Sequence, residues 1–192
     1  MPRRLLILGS TGSIGVQALD VLAHAEADRF ALAGLGAERS WERLVAQARE
    51  TGVQRIALTD TAAAAQAGEA WTDGEVLSGA DGLVKLITES ECDLVLNAIV
   101  GSAGLVPSVA TLGEGIDLAL ANKESLVVGG ELVMALAQAT GAQVIPVDSE
   151  HSALHQLLSG EQPGTVDRLI LTASGGPFRG ATAAELEEVT VQ

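Results

Sequence analysis

Cys92 is the only cysteine among 192 residues, so no disulfide can form within the chain. It stands just before the apolar run Leu94 to Leu96, where a small buried residue fits, and it reads as core rather than nucleophile. Tyrosine is absent and aromatics make up only 2% of the chain, so a core must come from Ala, Val, Leu and Ile packed between helices and a sheet. Positive charge is scarce as well: 11 Lys and Arg against 25 Asp and Glu give a formal charge of -14. Such a field repels a phosphate backbone and an anionic membrane surface, and no Lys/Arg cluster offsets it locally. Nucleic acid and membrane are therefore not expected partners. A phosphorylated small molecule would have to be held by a helix N-terminus and single Lys or Arg side chains. No uninterrupted apolar stretch is long enough to cross a bilayer. Met1-Pro2-Arg3-Arg4 leads directly into an apolar run, so no signal peptide is expected and the cytoplasm is the expected location.

Apolar runs of four to six residues alternate with longer segments of helical period, the pattern of βαβ units. Strands are expected near 4–8, 30–35, 55–58, 93–98, 116–120, 143–147 and 168–173. Helices fit 13–24, 41–51, 60–68, 80–90, 104–113, 124–140 and 150–158. This is an α/β chain with a Rossmann-like, doubly wound, mostly parallel sheet. The length suits one complete domain and part of another. After Gly141 the texture changes to an acidic, His-bearing turn and then a Gly-Gly-Pro loop, which places a domain boundary between residues 145 and 146. Thr182 and Glu185 form a capping box for a helix that would stop after barely two turns, so the chain is expected to be cut short.

The chemistry starts at Gly9-Ser-Thr-Gly-Ser-Ile-Gly15, a glycine turn between a strand and a helix. The first-turn N–H groups of such a helix can donate to a pyrophosphate at the positive end of its dipole. After the second strand, Ala37-Glu38-Arg39-Ser40 holds both answers to cofactor choice. Arg39 and Ser40 would clamp a 2′-phosphate, Glu38 would accept ribose hydroxyls, and Ser40 could equally cap the next helix. Pro146-Val-Asp148-Ser149-Glu150-His151 ends a strand, and in extended backbone Asp148 and Glu150 would share one side, offering oxygen ligands to Mg²⁺ or Mn²⁺. A solvated turn explains the same two acids. Lys123, in Ala121-Asn122-Lys123-Glu124-Ser125, sits at another strand end and could reach a substrate or simply start a helix. Asn97 to Gly101 could wall a nicotinamide, and Ser174-Gly-Gly-Pro-Phe178 could present donors to an anion. His24 and His155 have no partnering acid at catalytic spacing and read as structural.

Taken in order, Gly9 to Gly15, Ala98 to Gly101, Ala121 to Leu126, Pro146 to His151 and Ser174 to Phe178 strongly resemble the 1-deoxy-D-xylulose 5-phosphate reductoisomerase family. The resemblance runs along essentially the whole chain but covers only the N-terminal half of that enzyme. It implies NADPH, Mg²⁺ or Mn²⁺, a phosphorylated small-molecule substrate and a homodimer in the complete enzyme. It also implies the opening of an α+β catalytic domain after the nucleotide domain. By motif, Thr11, Gly12, Ser13, Ile14, Ala37, Arg39, Ser40, Asn122 and Glu124 would meet the cofactor, and Asp148 and Glu150 the metal. Lys123, Ser149, Glu150 and Ser174 would hold substrate, with Lys123, Asp148, Glu150 and His151 catalytic. Glu38 departs from the glycine usual in the family, and a third metal carboxylate is not in the chain. Two other functions fit the residues: a simple NAD(P)-dependent dehydrogenase, and a non-catalytic dinucleotide-binding module.

Overall fold

The computed structural model describes residues 1–26, 28–162, 164–171 and 175–190. Seven parallel strands, β1 Arg3–Leu8, β2 Phe30–Ala37, β3 Arg55–Leu58, β4 Glu75–Ser78, β5 Leu94–Asn97, β6 Asp117–Leu120 and β7 Val144–Pro146, form one sheet. Their order is β4-β3-β2-β1-β5-β6-β7. The chain winds outward from β1 to β4, crosses back, and winds the other way from β5 to β7. The point of reversal lies between β1 and β5, which is where open α/β sheets part their loops and bind ligands.

The helices are α1 Ser13–His24, α2 Trp41–Thr51, α3 Thr61–Ala70, α4 Gly79–Glu89, α5 Leu105–Gly113, α6 Glu124–Thr140, α7 Ser149–Ser159 and α8 Ala183–Glu187, with a 3-10 turn at Gly101–Gly104. Leu6, Ile7 and Leu8 are consecutive and fully buried because helices cover both faces of the central strand. On one face, Leu5, Ile7, Leu35, Ile56 and Leu58 pack with Leu44, Val45 and Ala48 of α2 and Ala63, Ala64 and Ala67 of α3. On the other, Leu6, Leu8 and Val95 pack with Leu83, Leu86 and Ile87 of α4. Leu118 and Leu120 of β6 meet Leu112 of α5 and Val133 and Ala137 of α6. Alternate strand residues thus feed two helix layers, the expected arrangement for βαβ units.

Caps end the helices where the sequence provides them. Asp60 accepts from the Ala63 N–H at 2.9 Å to start α3. Gly52 and Gly141 terminate α2 and α6 in the left-handed conformation, with φ of 75° and 80°. The capping box of Thr182 and Glu185 is present and starts α8.

Two compact units emerge, Met1–Ser152 and Ala153–Gln192. The first holds the whole sheet. In the second, every described residue from 155 onward is exposed. Two expectations are corrected here. Arg168 to Leu171, the described part of the strand expected at 168–173, form no strand with any described residue, and Leu169, Ile170 and Leu171 are exposed. Strand β4 was not expected: at four residues, with Glu75 and Ser78 exposed, it carries too little pattern to read.

Candidate functional site

Every residue singled out at a strand end within the first unit lies on one edge of the sheet, because all seven strands are parallel and present their carboxyl ends together. The glycine turn leaves β1 at the reversal point. Gly9 has φ +79°, and a Cβ there would lie 2.6 Å from the Ala98 carbonyl oxygen, so only glycine lets the loops after β1 and β5 pass so closely. Gly15 is buried in the first turn of α1, where a Cβ would run into Gly9 O and the Ser10 backbone. Gly12 differs: it is the N-cap of α1, in extended backbone with φ -79° and ψ 175°. It carries no side-chain cap, and no acidic residue occupies the first turn. Gly12, Ser13 and Ile14 are exposed and Thr11 half-buried. The turn therefore offers solvent the positive end of a helix dipole, which suits an anion.

Ser10 and Gln47 hold this turn from behind. Ser10 Oγ donates to Gln47 Oε1 at 2.8 Å, Gln47 Nε2 donates to Ser10 O at 2.9 Å, and both residues are buried. The Gly9 and Ser10 N–H groups both donate to Gly36 O on β2, at 2.8 and 3.0 Å. The sequence reading missed Gln47. Its one signal is an amide inside the apolar stripe Leu44, Val45 and Ala48 of α2. Gln47→Leu keeps the volume but leaves Ser10 Oγ and a backbone carbonyl unpartnered, so it should cost about 1–3 kcal/mol of stability. Urea unfolding would measure it, and an unchanged midpoint would refute the anchoring role.

At the end of β2, Ala37 is buried while Glu38, Arg39 and Ser40 are exposed. Ser40 occupies the N-cap position of α2, yet its side chain makes no capping hydrogen bond, so its hydroxyl is not committed to the helix. Arg39 Nη2 donates to Glu38 Oε1 at 2.5 Å.

Asn122 turns inward. Its Nδ2 donates to the Ile99 and Gly101 carbonyl oxygens, and its Oδ1 accepts from the Ser125 N–H and hydroxyl. Only 2% of it is exposed, so its amide is spent on tying the loop after β5 to the start of α6. Asn97 does the same one strand over, donating to Gly104 O at 2.8 Å and Ser108 Oγ at 2.9 Å. These two amides fix the loop expected to wall a nicotinamide.

The acidic cluster follows β7. Asp148, with a side chain only 10% exposed, receives Lys123 Nζ at 3.4 Å and His151 Nδ1 at 3.5 Å. Burial pushes the Asp148 carboxyl up, but hydrogen bonding with Glu150, the Lys123 charge and the His151 contact together hold it below its ordinary value. Ser149 Oγ donates to Glu150 Oε2 at 2.7 Å. The expected extended backbone is corrected here: Ser149 and Glu150 belong to the first turn of α7, and the helix start, not strand alternation, brings Glu150 to Asp148. Leu120, Lys123, Leu126, Val144, Pro146, Asp148 and His151 line a cavity of about 40 Å³. A groove of about 830 Å³ lies instead between α1 and α2, over the beginning of β2. Glu124 is half-buried in the first turn of α6. Ser174 lies outside the described residues. Cys92 is buried, and burial pushes its thiol up to about 11, in keeping with a core residue.

The family model of 1-deoxy-D-xylulose 5-phosphate reductoisomerase matches residues 5–130, and that of the enzyme's C-terminal domain matches residues 144–192. The chain belongs to the 1-deoxy-D-xylulose 5-phosphate reductoisomerase family. The reductoisomerase of Rhodococcus jostii is 56% identical over 98% of this chain, and that of Mycobacterium marinum 54% identical over 97%. The chain spans 46% and 45% of those relatives, a little under half their length. Among solved structures, the reductoisomerase of Zymomonas mobilis in complex with NADPH superposes with a TM-score of 0.84 at 38% identity, covering 99% of this chain and 50% of that one. A reductoisomerase structure with fosmidomycin and magnesium gives a TM-score of 0.81 at 33% identity, covering 98% of this chain and 50% of that one. A hyperthermophilic archaeal homoserine dehydrogenase shares the fold alone, at TM-score 0.53 and 16% identity over 80% of this chain and 44% of that one. No helix among the described residues is long and apolar enough to cross a membrane.

Proposed function

We propose that this chain carries the NADPH-binding domain and the first metal-binding carboxylates of a 1-deoxy-D-xylulose 5-phosphate reductoisomerase. That enzyme rearranges its substrate and reduces the aldehyde so formed to 2-C-methyl-D-erythritol 4-phosphate, in the non-mevalonate route to isoprenoids. The observation that carries the reading is the placement, on one sheet edge, of an uncapped helix N-terminus and a Lys–Asp–Glu–His cluster, in a chain that the family matches over residues 5–130 and 144–192. Residues 1–145 would form the nucleotide domain and 146–192 open the catalytic one. The complete enzyme would be a cytoplasmic homodimer.

The uncapped turn fits a pyrophosphate: Thr11, Gly12, Ser13 and Ile14 would cradle it, while Ala37, Arg39 and Ser40 receive the adenosine end. Asn122 would support the cofactor by fixing the loop after β5, with Glu124 beside it. Asp148 and Glu150 are hard oxygen donors suited to Mg²⁺ or Mn²⁺. When bound, the ion supplies Lewis-acid stabilisation of charge on substrate oxygens, and NADPH supplies the hydride. His151 orients Asp148, Lys123 offers its ammonium to the substrate, and Ser149 and Ser174 offer hydroxyls. Among the described residues no three His, Cys, Asp or Glu side chains converge as a metal site. By itself, then, the chain is expected to bind NADPH and to turn over nothing, as a binding module would.

Fluorescence titration tests the cofactor half directly. Arg39→Ala should weaken NADPH about 20-fold and leave NADH within about two-fold, because only NADPH gives the guanidinium a phosphate to pair with. Failure of the parent chain to bind NADPH would overturn the proposed function. Equal weakening of both nucleotides would overturn the role of Arg39.

A further inference from the structure

Arg39 is flanked by acid. Its guanidinium contacts Glu38, the next residue back along the chain, at 2.5 Å, with both side chains about 70% exposed. Asp60 also acts on it: hydrogen bonding to Glu38 and the charges of Glu38 and Asp60 together raise the Arg39 pKa above its ordinary value. The backbone keeps both acids beside Arg39, and the Asp60 carboxylate is itself tied down. The Glu38 carbonyl oxygen accepts from the Asp60 N–H at 2.9 Å, and the Asp60 carboxylate is held at the start of α3 by the Ala63 N–H. An exposed pair of adjacent residues contributes little to fold stability, so Glu38 is not there to hold the protein together.

The position does matter for chemistry. A carboxylate just past the second strand accepts the hydroxyls of an adenosine ribose, whereas a cation there pairs with a 2′-phosphate. Here both groups stand side by side and are bound to each other. A 2′-phosphate must compete with Glu38 for Arg39 and also bring its own negative charge towards two carboxylates. A 2′-hydroxyl meets neither penalty and can donate to Glu38. We propose that Glu38 is a specificity-determining residue that narrows this chain's preference for NADPH over NADH, so that the site accepts both nucleotides. The inference rests on the reading of the glycine turn as a dinucleotide site.

Equilibrium titration of the chain with NADPH and with NADH, followed by nucleotide fluorescence, tests it without catalysis. Glu38→Gln and Glu38→Ala should each tighten NADPH about five-fold, the scale of an exposed charge contact. Glu38→Ala should also weaken NADH about three-fold, for loss of the ribose acceptor. Glu131→Gln removes an equal charge from the exposed side of α6 and should leave both constants within about two-fold, showing that contact rather than net charge is read. If the parent chain binds both nucleotides and their affinity ratio is unchanged in both Glu38 variants, the inference fails while the cofactor reading stands. If the parent binds neither, the reading fails and the inference with it.

Discussion

Asp148→Asn and Glu150→Gln should each lower metal-dependent turnover about a thousand-fold, the scale expected when an ion that carries several kcal/mol of transition-state stabilisation loses a charged ligand. The enzyme to assay is this chain joined to the C-terminal half of the Rhodococcus jostii relative. The readout is NADPH oxidation with 1-deoxy-D-xylulose 5-phosphate, with and without Mn²⁺. Asn preserves the shape of Asp148 but removes its charge, leaving Lys123 and His151 without the carboxylate they converge on. NADPH affinity should survive within about two-fold, because the glycine turn follows β1 and the cluster follows β7, with β5 and β6 between them. The pH dependence has a definite sign. Hydrogen bonding with Glu150, the Lys123 charge and the His151 contact hold the Asp148 carboxyl below its ordinary value against the upward push of burial. Metal binding requires Asp148 and Glu150 both ionised and should weaken as the pH falls through the carboxylate range. Oxidation that proceeds equally without metal, or variants as active as the parent, would remove Asp148 and Glu150 from the reaction.

How much of this was readable beforehand depended on how local each signal is. Strands β1, β5 and β6 are short apolar runs because they are covered on both faces, and Gly9 and Asn97 mark where β1 and β5 stop. The same rule misled at Arg168 to Leu171: hydrophobicity records that a run needs cover, and says nothing about whether a neighbouring strand supplies it. Strand β4 failed in the opposite direction, since only its two middle residues, Val76 and Leu77, are even half-buried. The shared edge of the residues at strand ends was legible because parallel strands bring all such ends together. Gln47 was not, because its partner Ser10 is 37 positions away and the bond depends on how α2 lies against the turn. The hydrogen bonds of Asn122 were not legible in its motif. Its motif gives its place at the end of β6, but only the fold shows that its amide bonds to Ile99, Gly101 and Ser125.

Valine placed at Gly12 and at Gly15 should separate binding from folding. Gly12→Val should weaken NADPH and NADH alike by at least about 30-fold, because a side chain on the exposed N-cap would stand between the first-turn N–H groups and the pyrophosphate. The fold should tolerate it. Gly12 already has an extended φ and ψ that any residue adopts, and its Cβ would lie 3.3 Å from Gly9 O, a tight contact that a shift of a few tenths of an ångström relieves. The loss of stability should therefore stay near the cost of a poor N-cap, about 1 kcal/mol. Gly15→Val should behave in the opposite way. Its Cβ would be driven into Gly9 O and Ser10 Cα, and would lie 2.7 Å from Ser10 C, all backbone atoms that Gly36 and Gln47 hold in place. Overpacking against backbone should cost about 3 kcal/mol or more, and nucleotide binding should fall only as a consequence of lost structure. Urea unfolding and nucleotide titration on the same samples distinguish the two. A Gly12→Val chain that binds NADPH as the parent does would show that the turn shapes the loop and does not receive the pyrophosphate. A Gly15→Val chain of parental stability would refute the packing drawn here between the turn and α1.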